Sequence, residues 1–276
     1  GVPAETLCAL AEANLTALKM PWELASSQAV HGARLFYPSE EADTAYAASM
    51  LLVLPREAAA PSKEADQRLA PLLMPDGSLA VSPTRDSLMV CVPGDPALEK
   101  AFFGWATNDI DLPYPLSPMP LVLEKDRWVD WSPPQDHPLI HRLRDQKRAF
   151  LADAYTTQKS AIERLQDLLA GNEAEDETTV NGVPIDRIPV EYVSGYDLYQ
   201  REGSPETFSS ATWADDADVL LPETDQVMLA FKGDTLQVDW DTLMKCAGDR
   251  LTLVEATFPP LYRSHGFPDA LQIEKI

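Results

Sequence analysis

Proline decides where regular structure can persist in this chain. There are 24 prolines in 276 residues, roughly 9% against a usual ~5%. Each one fixes φ and removes a backbone donor, so a helix or a central strand stops at or near it. Residues 139–170, 32 in number, contain neither Pro nor Gly. As a helix rising 1.5 Å per residue they span roughly 48 Å, longer than a small domain is wide. Asp136 can accept bonds from first-turn N–H groups, Pro138 suits a helix start and Gly171 suits its stop. The expectation is one continuous helix touching two lobes. Leu139, Leu143 and Phe150 belong to one, and Ile162, Leu165 and Leu169 to the other.

Elsewhere the segments are short. Thr6 reads as the cap of a helix whose apolar positions Leu7, Leu10, Ala11, Leu15 and Leu18 stop before Pro21. Residues 33–37 read as a strand closed by Pro38, 42–54 as a helix and 55–75 as mostly loop. Pro75-Asp76-Gly77 is a turn, because Pro presets φ and Gly accepts φ > 0. Residues 78–92 then form a hairpin or bulged pair about Pro83-Thr84-Arg85-Asp86. A helix over 96–106, an extended Pro-rich stretch, and two short strands about Lys125-Asp126 follow. Pro133-Pro134 breaks the chain there. Past the long helix come an acidic loop at 172–179 and strands at 188–193, 219–221, 227–231, 235–238 and 251–256, with a helix at 240–247. The fold class is α+β, with two lobes over 1–132 and 133–276. Each has small mixed or antiparallel sheets covered by helices, and the long helix joins them.

Charge narrows the partners. The formal net charge is −22, from 44 acidic and 22 basic residues. It is spread evenly, with −9 over residues 1–132 and −13 over 133–276, so it reads first as solubility. Binding nucleic acid needs clustered Lys and Arg, which disfavours that function. The longest apolar stretch, 45–54, is far short of the ~20 residues of a membrane span. Cys8, Cys91 and Cys246 are odd in number and too widely spaced for a metal knuckle or a redox pair. Separate, reduced thiols fit a cytoplasmic protein.

No catalytic set assembles. His137 and His141 have the i, i+4 spacing of a metal pair, but His137 sits at the helix cap and Arg142, Arg144, Lys147 and Arg148 crowd the segment. Asp215, Asp216, Asp218 and Asp225 form the densest carboxylate group, which a hard cation could use. It has no glycine at the turn of a calcium loop, and a solvated loop leading into a strand is the plainer reading. Arg85 and Asp86 could fix their hairpin or face a ligand. One of them is expected buried and bonded to backbone, since adjacent strand residues point to opposite faces. Trp105, Trp128, Trp131 and Trp213 could line a groove for a partner, or pack under loops. No cofactor motif is present.

Three segments carry a resemblance: Leu7-x-x-Leu-Ala-x-x-Asn14-Leu15, Tyr46-x-x-Ser49-Met-Leu-Leu, and Gly77-Ser-Leu-Ala-Val-Ser-Pro83-Thr-Arg85-Asp86-Ser-Leu. Together they resemble the C-terminal part of the YtpQ-like family, a bacterial domain of unknown function, over roughly residues 5–95. The resemblance implies a bacterial source and brings no catalytic residue. The expected function is a non-enzymatic binding or adaptor module for a protein partner, with no membrane or nucleic acid. The alternatives are a metal-assisted hydrolase using the 215–225 carboxylates and an acidic mimic of nucleic acid.

Overall fold

A computed structural model describes residues 3–18, 22–24, 34–38, 47–52, 76–92, 99–100, 102–104, 116–117, 119–125, 127–172, 179–180, 183–184, 192–204, 206–255 and 257–274. It has the helices and small antiparallel and mixed sheets of an α+β protein. The chain forms two compact units, Gly1–Gln146 and Lys147–Ile276.

The first unit is built on six antiparallel strands: β1 (Trp22–Leu24), β2 (Arg34–Pro38), β3 (Leu79–Val81), β4 (Met89–Val92), β5 (Leu121–Glu124) and β6 (Arg127–Asp130). Their order in the sheet is β1-β2-β4-β3-β5-β6. Both faces are covered, so strand residues alternate between two cores. Ala80, Val90 and Leu123 point to one, with Leu15 of helix α1 (Ala4–Leu18) and with Met50. Leu79, Val81, Cys91 and Val122 point to the other, with Phe102, Phe103 and Leu143. Hence all of β3 is buried although it is only three residues long. Gly77, at φ +89°, makes the turn into β3, a conformation that costs a residue with a Cβ far more.

Three helical expectations shift. α1 starts at Ala4, with the Leu7 N–H bonded to the Pro3 carbonyl, so Thr6 lies inside the helix rather than capping it. Residues 48–52 form a 3-10 turn, the described part of the helix expected over 42–54. Of the helix expected over 96–106, residues 99–100 and 102–104 are helical. Residues 55–75 lie outside the described residues.

The long helix α2 runs unbroken from Ile140 to Asn172. Its entry differs from the expected Asp136 cap: the Leu139 N–H donates to His137 Nδ1 at 3.3 Å. The His137 ring is held edge-on to Phe103 and Trp131, with centroids 5.0 and 5.3 Å away. α2 begins in the first unit, where Leu139 and Leu143 pack. The unit division falls within it, later than the break at Pro133-Pro134, because these leucines anchor its start. In the second unit Leu151, Tyr155 and Ile162 pack against Val193, Leu220 and Leu261. Phe150 is half-buried, and Leu165, expected to be packed, is 55% exposed.

The second unit stacks two four-stranded sheets. One has the order β15-β16-β12-β9, from β9 (Tyr192–Val193), β12 (Val219–Pro222), β15 (Leu251–Leu253) and β16 (Leu261–Ser264). The other has the order β10-β11-β13-β14, from β10 (Asp197–Gln200), β11 (Thr207–Ala214), β13 (Gln226–Phe231) and β14 (Asp234–Asp239). Two further strands, β7 (Thr179–Val180) and β8 (Val183–Pro184), pair with each other. β12 is buried throughout because it is covered twice: Leu220 meets α2, while Val219 and Leu221 meet the second sheet. That second core also takes Ala211, Trp213, Val227, Leu229 and Val238, and Leu243 of helix α3 (Trp240–Ala247). β13 and β14 are joined through Lys232 and Gly233, both at positive φ (50° and 87°), the geometry of a two-residue hairpin turn. Helix α4 (Ala270–Ile273) closes the unit, with the Gln272 amide donating to the carbonyls of Cys246 and Ala247 at the end of α3.

Candidate functional site

Asp225, one of the four candidate metal ligands, is where the second unit is tied together. It lies between β12 and β13, beside Arg148 of α2. Arg148 of α2 donates to both carboxylate oxygens, at 2.8 and 3.1 Å. The Ser209 N–H and hydroxyl, from β11, donate to Oδ2 at 2.8 and 2.7 Å. The backbone of Asp225 is equally engaged: its N–H donates to Ser209 Oγ, and its carbonyl accepts from the Trp240 N–H that opens α3. Burial acts to raise its pKa, but Arg148 and Ser209 outweigh it and hold the carboxyl below the usual range. Four donors hold the carboxylate in place, three on Oδ2 and one on Oδ1. Ser209, at 1% exposed, is no nucleophile for solvent-borne substrate.

Two tyrosines lie beside this node. Tyr155 and Tyr196 stack with centroids 5.0 Å apart. The Tyr155 hydroxyl donates to the Pro260 carbonyl at 2.7 Å and accepts from the Glu223 N–H at 3.1 Å. Burial raises the pKa of both, Tyr196 to about 12. Tyr155 is a neutral bridge between α2 and the loops at 222–225 and 257–260, and Tyr196 stacks on it.

The other carboxylates do not join Asp225. Asp215, Asp216 and Asp218 are exposed in the turn after β11, and Asp218 accepts from the Gly266 N–H at 2.7 Å. Among the described residues no group of three or more His, Cys, Asp and Glu is placed to hold a metal ion. Of the four weak candidates, Asp215, Asp216 and Asp218 stay on the turn that leads into β12, and the strand run of β12 carries Asp225 away to its salt bridge.

Most of the aromatic candidates turn inward. Trp213 is fully buried, its ring 5.6 Å from that of Phe267. Trp128 packs against the Leu15–Met50–Leu88 core, and Trp131 lies 5.2 Å from Phe103. Trp105 lies outside the described residues. Arg85 and Asp86 pair with each other at 3.0 Å, with side chains 52% and 36% exposed. The expectation that one of them is buried is therefore corrected. Hydroxyls hold that loop instead: Ser82 Oγ donates to the Thr84 carbonyl at 3.0 Å, and Thr84 and Ser87 share a bond of 2.6 Å. Ser and Thr satisfy a turn's backbone without the cost of burying charge.

A surface remains that the sequence reading missed. Along β11, Ser209, Ala211 and Trp213 point inward, and Phe208, Ser210, Thr212 and Ala214 point outward. Register places Ser210 beside Gln226, Thr212 beside Met228 and Ala214 beside Ala230. Gln237 and Thr235 of β14 continue these rows, and Tyr199 of β10 stands opposite Phe208. None of these outward residues is buried. Tyr199 reaches across β11 to bond Gln226 and Gln237. Arg201 and Arg148 lie over the Phe208 ring at 4.3 and 5.3 Å from its centroid. The available signal was the alternation in Thr207–Ala214, which short polar side chains disguise as loop.

No helix among the described residues is long and apolar enough to cross a membrane. Comparison of the chain with family models, curated proteins and solved structures gave no match.

Proposed function

We propose that the protein is a non-enzymatic binding or adaptor module, and that it meets a protein partner on the outward face of the β10-β11-β13-β14 sheet. The observation that carries this reading is the face itself. Four strands present a surface of small and polar residues with Tyr199, Phe208 and Met228 among them, none of them buried. Aromatic and Met side chains on a low-charge centre suit a protein interface. Cys8, Cys91 and Cys246 are all free, which supports a reducing, cytoplasmic setting. The resemblance of residues 5–95 to the YtpQ-like family belongs to this reading and adds no catalytic residue to it.

The test is a photo-crosslinking amino acid at Thr212, with Asp167 on α2 as the control position. Crosslinks to one cellular protein from Thr212, lost when Met228→Arg is added and absent from the control, are expected. Equal crosslinking from both positions, or crosslinks indifferent to Met228→Arg, would refute the reading.

A further inference from the structure

We propose that this sheet face takes a cationic protein segment, a strand or loop whose Lys or Arg side chains reach Asp197 and Asp239. The inference rests on the binding reading above and names the chemistry of the partner.

Asp197, Ser210, Gln226 and Asp239 form one row across the sheet, set by the pairing of β10 with β11, β11 with β13 and β13 with β14. The two carboxylates stand on the edge strands, and three strand spacings of ~4.8 Å put them roughly 14 Å apart. Between them lie only a hydroxyl and a carboxamide. Gln226 donates to Asp239 Oδ1 at 3.0 Å, a single bond to a carboxylate that can accept several. Among the described residues neither Asp197 nor Asp239 has an ion-pair partner, although both are exposed. The next row, Thr212–Met228–Gln237, supplies a flexible apolar centre. It suits the aliphatic stems that Lys and Arg carry behind their charges.

The surroundings carry the same sign. Between Tyr192 and Asp239 the chain has ten acidic residues and two basic ones, Arg201 and Lys232. Arg201 and Arg148 both lie over Phe208, and Arg148 is paired with Asp225, so the positive charge gathers at one end of the face and the partner's cations are directed to the Asp197–Asp239 row. Unpaired carboxylates at both edges repel an anionic protein or a nucleic acid, and such like-charge contacts are costly.

The probe is a short synthetic peptide alternating Lys and Val, with a second peptide in which Glu replaces Lys. Each is titrated into the full chain by isothermal calorimetry and by amide NMR. The Lys peptide is expected to bind and to shift the amides of Ser210, Thr212, Met228 and Gln237. The Asp197→Asn/Asp239→Asn variant should weaken it by about tenfold, a loss of two complementary charges. Asp153→Asn/Asp167→Asn removes the same charge from exposed positions on α2 and should bind like wild type. Equal weakening by the two variants, shifts scattered over the surface, or binding of the Glu peptide would overturn the proposal. If the Thr212 crosslinks stand while the Lys peptide does not bind, the face is an interface and only its cationic specificity is wrong. If the crosslinks fail, the binding reading fails too.

Discussion

Arg148 and Asp225 set the acid limit of the second unit. The Arg148 side chain is 11% exposed and that of Asp225 33%, between the exposed pairs that contribute little and the buried ones that cost most to break. Arg148→Ala is expected to destabilise by about 2–3 kcal/mol, because it strands a hydrogen-bonded carboxylate. Urea unfolding checks this. The sign of the pH dependence follows from the lowered Asp225 pKa. Its stabilisation is complete above the ordinary carboxylate pKa of about 4 and is lost as pH falls through the lower folded value. Tyr196 acts at the other end. With its pKa raised to about 12, its neutral form stabilises below about pH 10, and that contribution is lost as pH rises through the folded value. Tyr196→Phe should therefore flatten the alkaline limb and leave the acid limb intact, read from unfolding midpoints across pH.

Single elements depend on how their ends and faces are satisfied. The start of α2 uses His137 as acceptor for the Leu139 N–H, in a ring pocket of Phe103 and Trp131. His137→Ala is expected to cost about 1 kcal/mol for the cap alone, and somewhat more with the ring contacts, measured by denaturant titration. In β11 the two faces should respond differently. Trp213→Ala opens a cavity in the second core and should cost about 3–5 kcal/mol. Thr212→Lys, on the outward face, should change stability by less than about 0.5 kcal/mol while impairing any partner docked there. The hairpin of β13 and β14 has its own check point in Gly233, at φ +87°. A residue with Cβ there should loosen the register that aligns Met228 with Gln237.

The molecule as a whole carries three thiol probes, two in the first unit and one in the second. Cys91 is buried in the first unit and Cys246 half-buried on α3 of the second, while Cys8 is exposed on α1. Thiol labelling should be immediate at Cys8. Cys91 should stay protected until the first unit opens, since closed packing excludes the reagent. Labelling followed by mass spectrometry across a urea series separates the three. Rapid modification of Cys91 in native buffer would contradict its place on β4, facing the core of Phe102, Phe103 and Leu143.

Local chemistry was enough for the parts that answer to local chemistry. The absence of Pro and Gly over 139–170 foretold an unbroken helix, since nothing along the backbone stops it. Strong alternation or apolar runs marked β12 through β14, and α3 spans the expected 240–247. Thr207–Ala214 escaped because Ser, Thr and Ala carry little burial signal of their own, and a strand in the middle of a sheet is stabilised by neighbours distant in sequence. The same limit governs the site. Spacing grouped Asp225 with Asp215, Asp216 and Asp218, while the fold turned it toward Arg148, 77 residues earlier. Spacing also offered Trp213 to a partner, and the stacking of two sheets put it in the core. Side-chain exposure on a sheet depends on which face meets another layer, and register with distant strands decides that. Tertiary structure alone, therefore, created the outward face of Tyr199, Met228 and Gln237, whose members come from three strands that only pairing brings together.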